Sequence, residues 1–245
     1  MQKLLYVVTI NLLRIVFGLA ALFSKKAKQF VLGRRYYFTN LAASFIGRGK
    51  EKLVWVHCAS LGEFEQGRPL IESLKTRLPG VKIMLTFFSS SGYEVQKNYT
   101  LADYVLYLPW DTPRQARRFV EITRPDLAIF VKYEFWYYFT FYLKKSGAHL
   151  ISASCILRPD QIFFKTYGGL FRNLLQHFNF FFTQNQETKK LLSSIGISNT
   201  SVAGDTRFDR VMQIIKNGGE IEQAKQFKNN QKLFVIGSCW QEDLD

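Results

Sequence analysis

VWVHCASLGEFEQGRPLI, residues 54 to 71, passes from an apolar run through a small-residue turn into an amphipathic stretch. Leu53 to Val56 has the branched and aromatic residues of a strand buried on both faces, and the pattern from Glu63 onward is helical. Ser60 and Glu63 mark the junction, because S-x-x-E is the capping box that opens a helix. The same unit recurs down the chain. Apolar runs at VKIMLTFF (81 to 88), YVLYL (104 to 108), DLAIFV (126 to 131), HLISA (149 to 153) and FNFFFT (178 to 183) follow the first. Helical patterns at roughly 63 to 78, 90 to 100, 112 to 123, 134 to 146, 166 to 177 and 185 to 195 separate them. Strand alternating with helix at this spacing predicts an α/β fold, a parallel sheet covered on both faces.

In such sheets ligands sit beyond the carboxyl ends of the strands, so the loops after the strands are where chemistry belongs. Three of them stand out: Cys58 to Gly62, Phe88 to Gly92 and Lys132 to Trp136. The chain holds neither a G-x-G-x-x-G after a strand nor a G-x-x-x-x-G-K-[ST], which excludes the usual dinucleotide and P-loop sites. After Asp209 the pattern thins into a polar helix around 210 to 231, and KLFVIGS, 232 to 238, reads as another strand that opens a second, truncated domain.

Glu63 admits two readings. As the capping-box acid it satisfies the helix N-terminus. As a functional acid it stands beside Gly62, which lets a ligand approach the backbone, and beside free N–H groups that favour anions. Glu65 points elsewhere on the helix, and Arg68 pairs with it or reaches an anionic group. Ser91 and Glu94 repeat the capping pattern with a weaker functional case. His57, His149 and His177 are scattered beside apolar runs and read as structural. Cys58, Cys155 and Cys239 are widely spaced, without a C-x-x-C pair, so they read as reduced thiols and no metal site is expected.

The formal net charge of +14 is concentrated at one end: residues 1 to 52 hold ten Lys or Arg against the single acid Glu51, or +9. Leu4 to Phe23 is twenty residues long, thirteen of them Leu, Ile, Val or Phe, which meets the length needed to cross a bilayer. Lys3, Asn11, Arg14, Gly18 and Lys25 fall on one narrow stripe of that helix, a pattern that also suits an in-plane or tilted anchor. Lys25, Lys26, Lys28, Arg34 and Arg35 then place the following segment on the cytoplasmic side, against an anionic membrane surface. Nucleic acid is not the expected partner, since the aromatic residues lie in apolar runs and the charge sits beside the anchor.

VWVHCASLGEFEQGRPLI resembles the first strand, glycine turn and helix of the Kdo transferases, which add 3-deoxy-D-manno-octulosonic acid to the lipid A precursor in Gram-negative bacteria. The resemblance continues through LPWDTPRQARRFVEITRPDLAIFVKYEFW (108 to 136), FFTQNQETKKLLSSIGI (181 to 197), VAGDTRFDR (202 to 210) and GSCWQEDL (237 to 244). It implies an inverting, metal-independent glycosyltransferase of the GT-B type with two Rossmann-like domains, needing no cofactor and taking Kdo from CMP-Kdo. Its site is the cytoplasmic side of the cell inner membrane.

On this resemblance Glu63 is the candidate general base, and Glu134 matches the family's second acidic position. Ser60, Gly62, Lys132 and Arg158 are candidate acceptor contacts; Gly237 and Ser238 belong to the donor side. Where the family often has Asn-Ala-Arg-Leu-Ser, this chain reads SASCILRPDQ, 152 to 161, with Arg158 the available basic group. The implied organisation is an anchor and basic segment over 1 to 50, an acceptor-binding domain over 51 to 210, a linker helix over 211 to 231 and the start of a donor-binding domain over 232 to 245. Such a fragment is expected to be inactive alone. A different membrane-associated nucleotide-sugar transferase and a noncatalytic acceptor-binding module are the competing expectations.

Overall fold

The computed structural model describes residues 2–218, 221–229, 231–237 and 239–241. By compactness the chain divides into a unit from Met1 to Arg210 and a second from Val211 to Asp245.

The first unit is built on a parallel sheet. Its strands are β1 (Leu53–Cys58), β2 (Lys82–Phe87), β3 (Tyr104–Tyr107), β4 (Leu127–Val131), β5 (His149–Cys155), β6 (Phe180–Thr183) and β7 (Thr200–Val202). They lie in the order β3-β2-β1-β4-β5-β6-β7, and each neighbouring pair is parallel. The chain winds outward from β1 in one direction and from β4 in the other. The crevice beyond the carboxyl ends of β1 and β4 is therefore the topological switch point, where open α/β sheets bind their ligands.

Alternate residues of β1 serve opposite faces, as the pleat demands. Leu53 and Trp55 enter one apolar cluster, where Trp55 is enclosed by Phe119, Phe130 and Phe139. Val54, Val56 and Cys58 enter the other with Phe64 and Ile71 of helix α4 (Leu61–Arg77). Gly67 makes that second contact close: a Cβ built there would lie 2.7 Å from Cys58 Sγ and 3.4 Å from Val131 Cγ2. Gly67→Ala should therefore force α4 off the sheet at a cost of about 1–3 kcal/mol, read as a lower urea midpoint at unchanged slope.

The helices between strands are α5 (Ser90–Gln96), α6 (Pro113–Thr123), α7 (Tyr137–Ser146), α8 (Gly169–Leu175) and α9 (Gln186–Ser194). Two expectations are corrected here. The N-cap of α5 is Ser89, whose hydroxyl accepts from Gly92 N, so Ser91 and Glu94 form no capping box and Glu94 pairs with Lys97 instead. Helix α7 begins at Tyr137, which leaves Glu134 in the preceding loop and not in a first helical turn.

Three helices precede the sheet: α1 (Gln2–Ala20), α2 (Lys25–Leu32) and α3 (Tyr37–Ser44). Helix α1 is long and apolar enough to cross a membrane by length and composition. One of its faces is docked along the domain. The Gln2 side chain donates to Tyr167 O and accepts from Leu170 N, Tyr6 donates to Asp111, and Phe17 stacks on Phe30 beside Trp110. Leu4, Leu5, Val8, Leu12, Ile15, Val16 and Leu19 remain exposed.

The basic segment is partly built into the body, because Tyr37 and Leu41 join the main core and Tyr37 donates to Tyr107 O at 2.7 Å. Arg34, expected to face lipid, instead donates to the carbonyls of Phe30, Phe88 and Leu108 and lies over the Phe30 ring. Burial pulls its pKa down to about 9, and the three carbonyls hold the guanidinium in its charged form.

In the second unit, α10 (Thr206–Asn217) enters from the first and α11 (Glu222–Lys228) follows, so the expected polar helix is broken in two. Leu233 to Ile236 form no strand, in contrast to the expectation, since they pair with no strand among the described residues and Phe234 and Val235 are exposed.

Candidate active site

The switch-point crevice is bounded by the turn after β1 and the loop after β4. In the β1 turn, the Ser60 N–H and hydroxyl both donate to Glu63 Oε2, each at 2.7 Å. The structural reading of S-x-x-E is thus realised, and Glu63 as a residue is only 8% exposed. It consumes one oxygen. Glu63 Oε1 makes no hydrogen bond among the described residues. The box is closed in both directions, the Ser60 side chain accepting from the Glu63 N–H while the Glu63 carboxylate accepts from the Ser60 N–H. A Cβ at Gly62 would meet nothing closer than Ser60 Oγ at 3.8 Å, so that backbone is open to a ligand.

Across the crevice, Glu134 Oε2 accepts from Trp136 Nε1 at 2.9 Å and lies 3.7 Å from His57 Nε2. His57 is fully buried, and its Nδ1 is 2.8 Å from Thr86 Oγ1, which also accepts from Trp55 Nε1 at 2.8 Å. The Thr86 hydroxyl has no other acceptor among the described residues, so its proton goes to Nδ1, which favours the tautomer with the ring proton on Nε2, toward Glu134. His57 Nε2 has no hydrogen-bond partner, so this imidazole, read from the sequence as structural, is a buried group aimed at the site. Both carboxylates lie near Cys58: burial, reinforced by repulsion from Glu63 and Glu134, pushes its thiol well up.

Lys132 begins the Glu134 loop with φ of 70° and sets its Nζ over the Tyr133 ring. Its backbone is held to the β5 end by Lys132 N donating to Ala153 O at 2.8 Å. Arg158, in the loop after β5, is solvated, 76% exposed and 3.9 Å from Asp160. Arg68 pairs with Glu65 at 2.9 Å. Gly237 lies in the second unit, and Ser238 lies outside the described residues.

Two groups escaped the sequence reading. Asp111, fully buried, holds the N-terminus of α7 behind the Glu134 loop. Gln66, 1% exposed on α4, donates to Asp205 at 2.9 Å, while Thr206 donates to Gln66 O at 2.7 Å. These bonds tie the chain after β7 to the Glu63 helix. Hydrogen bonds from Arg207 and Gln66 outweigh the cost of burial and hold the Asp205 carboxyl at about 2.

A doubly wound parallel sheet with two carboxylates in the loops at its switch point defines a Rossmann-like domain. The family model described as 3-deoxy-D-manno-octulosonic-acid transferase (kdotransferase) matches residues 32–210. The chain belongs to this family of glycosyltransferases.

Among curated relatives, the 3-deoxy-D-manno-octulosonic acid transferase of Rickettsia bellii is 26% identical over 196 residues, which is 78% of this chain and 46% of the relative. That of Aquifex aeolicus is 38% identical over 84 residues, 34% of this chain and 23% of the relative. A bifunctional glycosyltransferase/methyltransferase of Fusobacterium nucleatum is 24% identical over 238 residues, 93% of this chain and 36% of the relative. The chain spans about half, or less, of the length of the curated relatives it matches. Among solved structures, the UDP-GlcNAc 2-epimerase of Methanocaldococcus jannaschii superposes with a TM-score of 0.53 at 16% identity, over 75% of this chain and 54% of the epimerase. That likeness is one of fold, and it agrees with the expected parallel, GT-B-like sheet domain behind an N-terminal apolar helix.

Proposed function

We propose that this chain is the acceptor-binding half of a transferase that moves Kdo from CMP-Kdo to lipid IVA, the lipid A precursor, at the cytoplasmic face of the inner membrane. The observation that carries this reading is the placement of Glu63 and Glu134 on either side of the β1/β4 switch point, with Glu63 Oε1 unengaged. Glu63 accepts the proton of a glucosamine hydroxyl as that oxygen bonds to the anomeric carbon. The bond from that carbon to the CMP phosphate breaks, and CMP leaves with the electron pair. Glu134, steadied by Trp136 and facing His57, orients the acceptor. Lys132 and Arg158 supply positive charge for its phosphates, and Gly237 and Ser238 belong to the donor side.

The docked face of α1 supports an in-plane anchor over a spanning one. A helix held against the domain from Gln2 to Phe17 lies along it, and its opposite apolar face is free to enter a leaflet. An acceptor with acyl chains is then presented at the height of the crevice.

A two-part transfer assay tests the reading. A two-domain transferase carrying this chain should place labelled Kdo on lipid IVA. The 245-residue chain alone should bind lipid IVA and transfer none. Failure of the chain to bind lipid IVA, or transfer by the chain alone, overturns this division of labour.

A further inference from the structure

An open cavity of about 1100 Å³ lies between α1, the α2–α3 segment and the start of α6, apart from the carboxylate pair. Five arginines line it, Arg14, Arg34, Arg35, Arg114 and Arg118, and no acidic side chain does. Trp110 is part of its wall, Trp136 holds Glu134, and Phe88 packs between those two rings, which separates the cavity from the crevice.

Arg34 is occupied by its three carbonyls and contributes only its field. The others are free to meet a ligand. Arg14 bonds only within its own helix, to Asn11 Oδ1; Arg118 rests on the Phe38 ring; and Arg114 makes no side-chain hydrogen bond or ion pair among the described residues. Four exposed guanidinium groups around one opening, with no acidic residue in its lining, set up a positive potential there that draws an anion.

The remaining wall is apolar. Ile15 and Gly18 of α1 and Val31 and Leu32 of α2 line it, and Leu12, Val16 and Leu19 continue the exposed apolar face of α1 beside it. A small inorganic anion would leave that half unused, whereas an amphiphile fills both. We propose that the cavity is a binding site for one anionic diacyl phospholipid. Its phosphate sits among Arg14, Arg35, Arg114 and Arg118, and its acyl chains run along α1. Guanidinium groups suit the phosphodiester because they donate in pairs. The volume is large enough for a headgroup and the first part of two chains. The site is independent of sugar transfer; it shares with the proposed function only the interfacial placement of α1.

Native mass spectrometry of the purified chain in a neutral detergent tests it, with phosphatidylglycerol, phosphatidylcholine or inorganic phosphate added. One phosphatidylglycerol per chain should be retained and phosphatidylcholine should not. The double variant Arg14→Gln/Arg114→Gln should weaken retention roughly 30-fold, about fivefold for each charge removed. Lys25→Gln/Lys26→Gln removes as much charge outside the cavity and should leave retention unchanged. Equal retention of both lipids, equal loss in both variants, or displacement of the lipid by phosphate at matched concentration would each overturn the proposal. Arg118→Gln serves if the double variant does not fold. Sedimentation with pure phosphatidylcholine vesicles reports α1 insertion separately, and the cavity variant should still sediment.

Discussion

Glu63→Gln, made in a two-domain transferase carrying this chain, should lower kcat by about 10² to 10⁴ while leaving KM for both substrates and the melting temperature nearly unchanged. The geometry makes this substitution selective. Glu63 Oε2 only accepts, from the Ser60 N–H and hydroxyl, and a glutamine carbonyl oxygen in the same place accepts both bonds. The capping box survives, and what is lost is the ability of the second oxygen to take a proton. Were Glu63 a cap alone, the glutamine variant would keep its rate, and only Glu63→Ala would show an effect, a stability loss of about 1 kcal/mol. Turnover and melting temperature measured on both variants separate the two roles, and an active Glu63→Gln enzyme ends the assignment of Glu63 as base.

The sheet was legible because strands buried on both faces cannot hide their apolar runs. Leu53 to Cys58 is buried at every position, and so is nearly all of Lys82 to Phe87. Strand β7 was missed for the converse reason: Thr200 to Val202 is a three-residue, half-exposed edge, too short and polar to carry a period. The Glu63 turn could be read because S-x-x-E is local.

The Glu134 side could not be read in the same way. Its support by His57 depends on β1 pairing with β4, a contact that brings His57 opposite Phe130 and that no local pattern announces. Charge misled in one place. Arg34 sits in a basic run that reads as lipid-facing, yet burial against three carbonyls makes it a brace between α2 and the loops after β2 and β3. Asp111 was invisible because an acid beside Thr-Pro looks like part of a helix start, and only the fold brings the amides of α7 to it.

Asp111→Ala should be the most damaging single change to stability, at about 3–5 kcal/mol, or a fall in melting temperature of roughly 10 °C. Asp111 is fully enclosed and accepts from Tyr138 N at 3.0 Å, Phe139 N at 2.9 Å and the Tyr6 hydroxyl at 2.5 Å. Alanine leaves the Tyr138 and Phe139 amides without a partner and takes from the Tyr6 hydroxyl its only acceptor among the described residues, and each such group carries its own desolvation cost. Burial raises the Asp111 carboxyl to about 6 despite the pull of these donors. A folded-state value above the unfolded one means that the native state binds the extra proton. The contribution of Asp111 to stability is therefore greatest below about pH 4 and declines as pH rises to about 6, above which it is constant.

Removing Asp111 should erase that slope from the melting temperature against pH. Tyr6→Phe provides the complementary measurement. It keeps both amide bonds, costs about 1–2 kcal/mol, and loosens α1 from the domain, so protease cleavage within α1 should accelerate while the sheet stays intact. A double-mutant cycle on the pair then gives the strength with which the anchor helix is tied to the loop that carries Glu134. A coupling near zero would mean that α1 is held by Gln2, the Phe17–Phe30 stack and ring contacts such as those of residue 6, without the Tyr6–Asp111 bond, and that the position of the anchor does not reach the site.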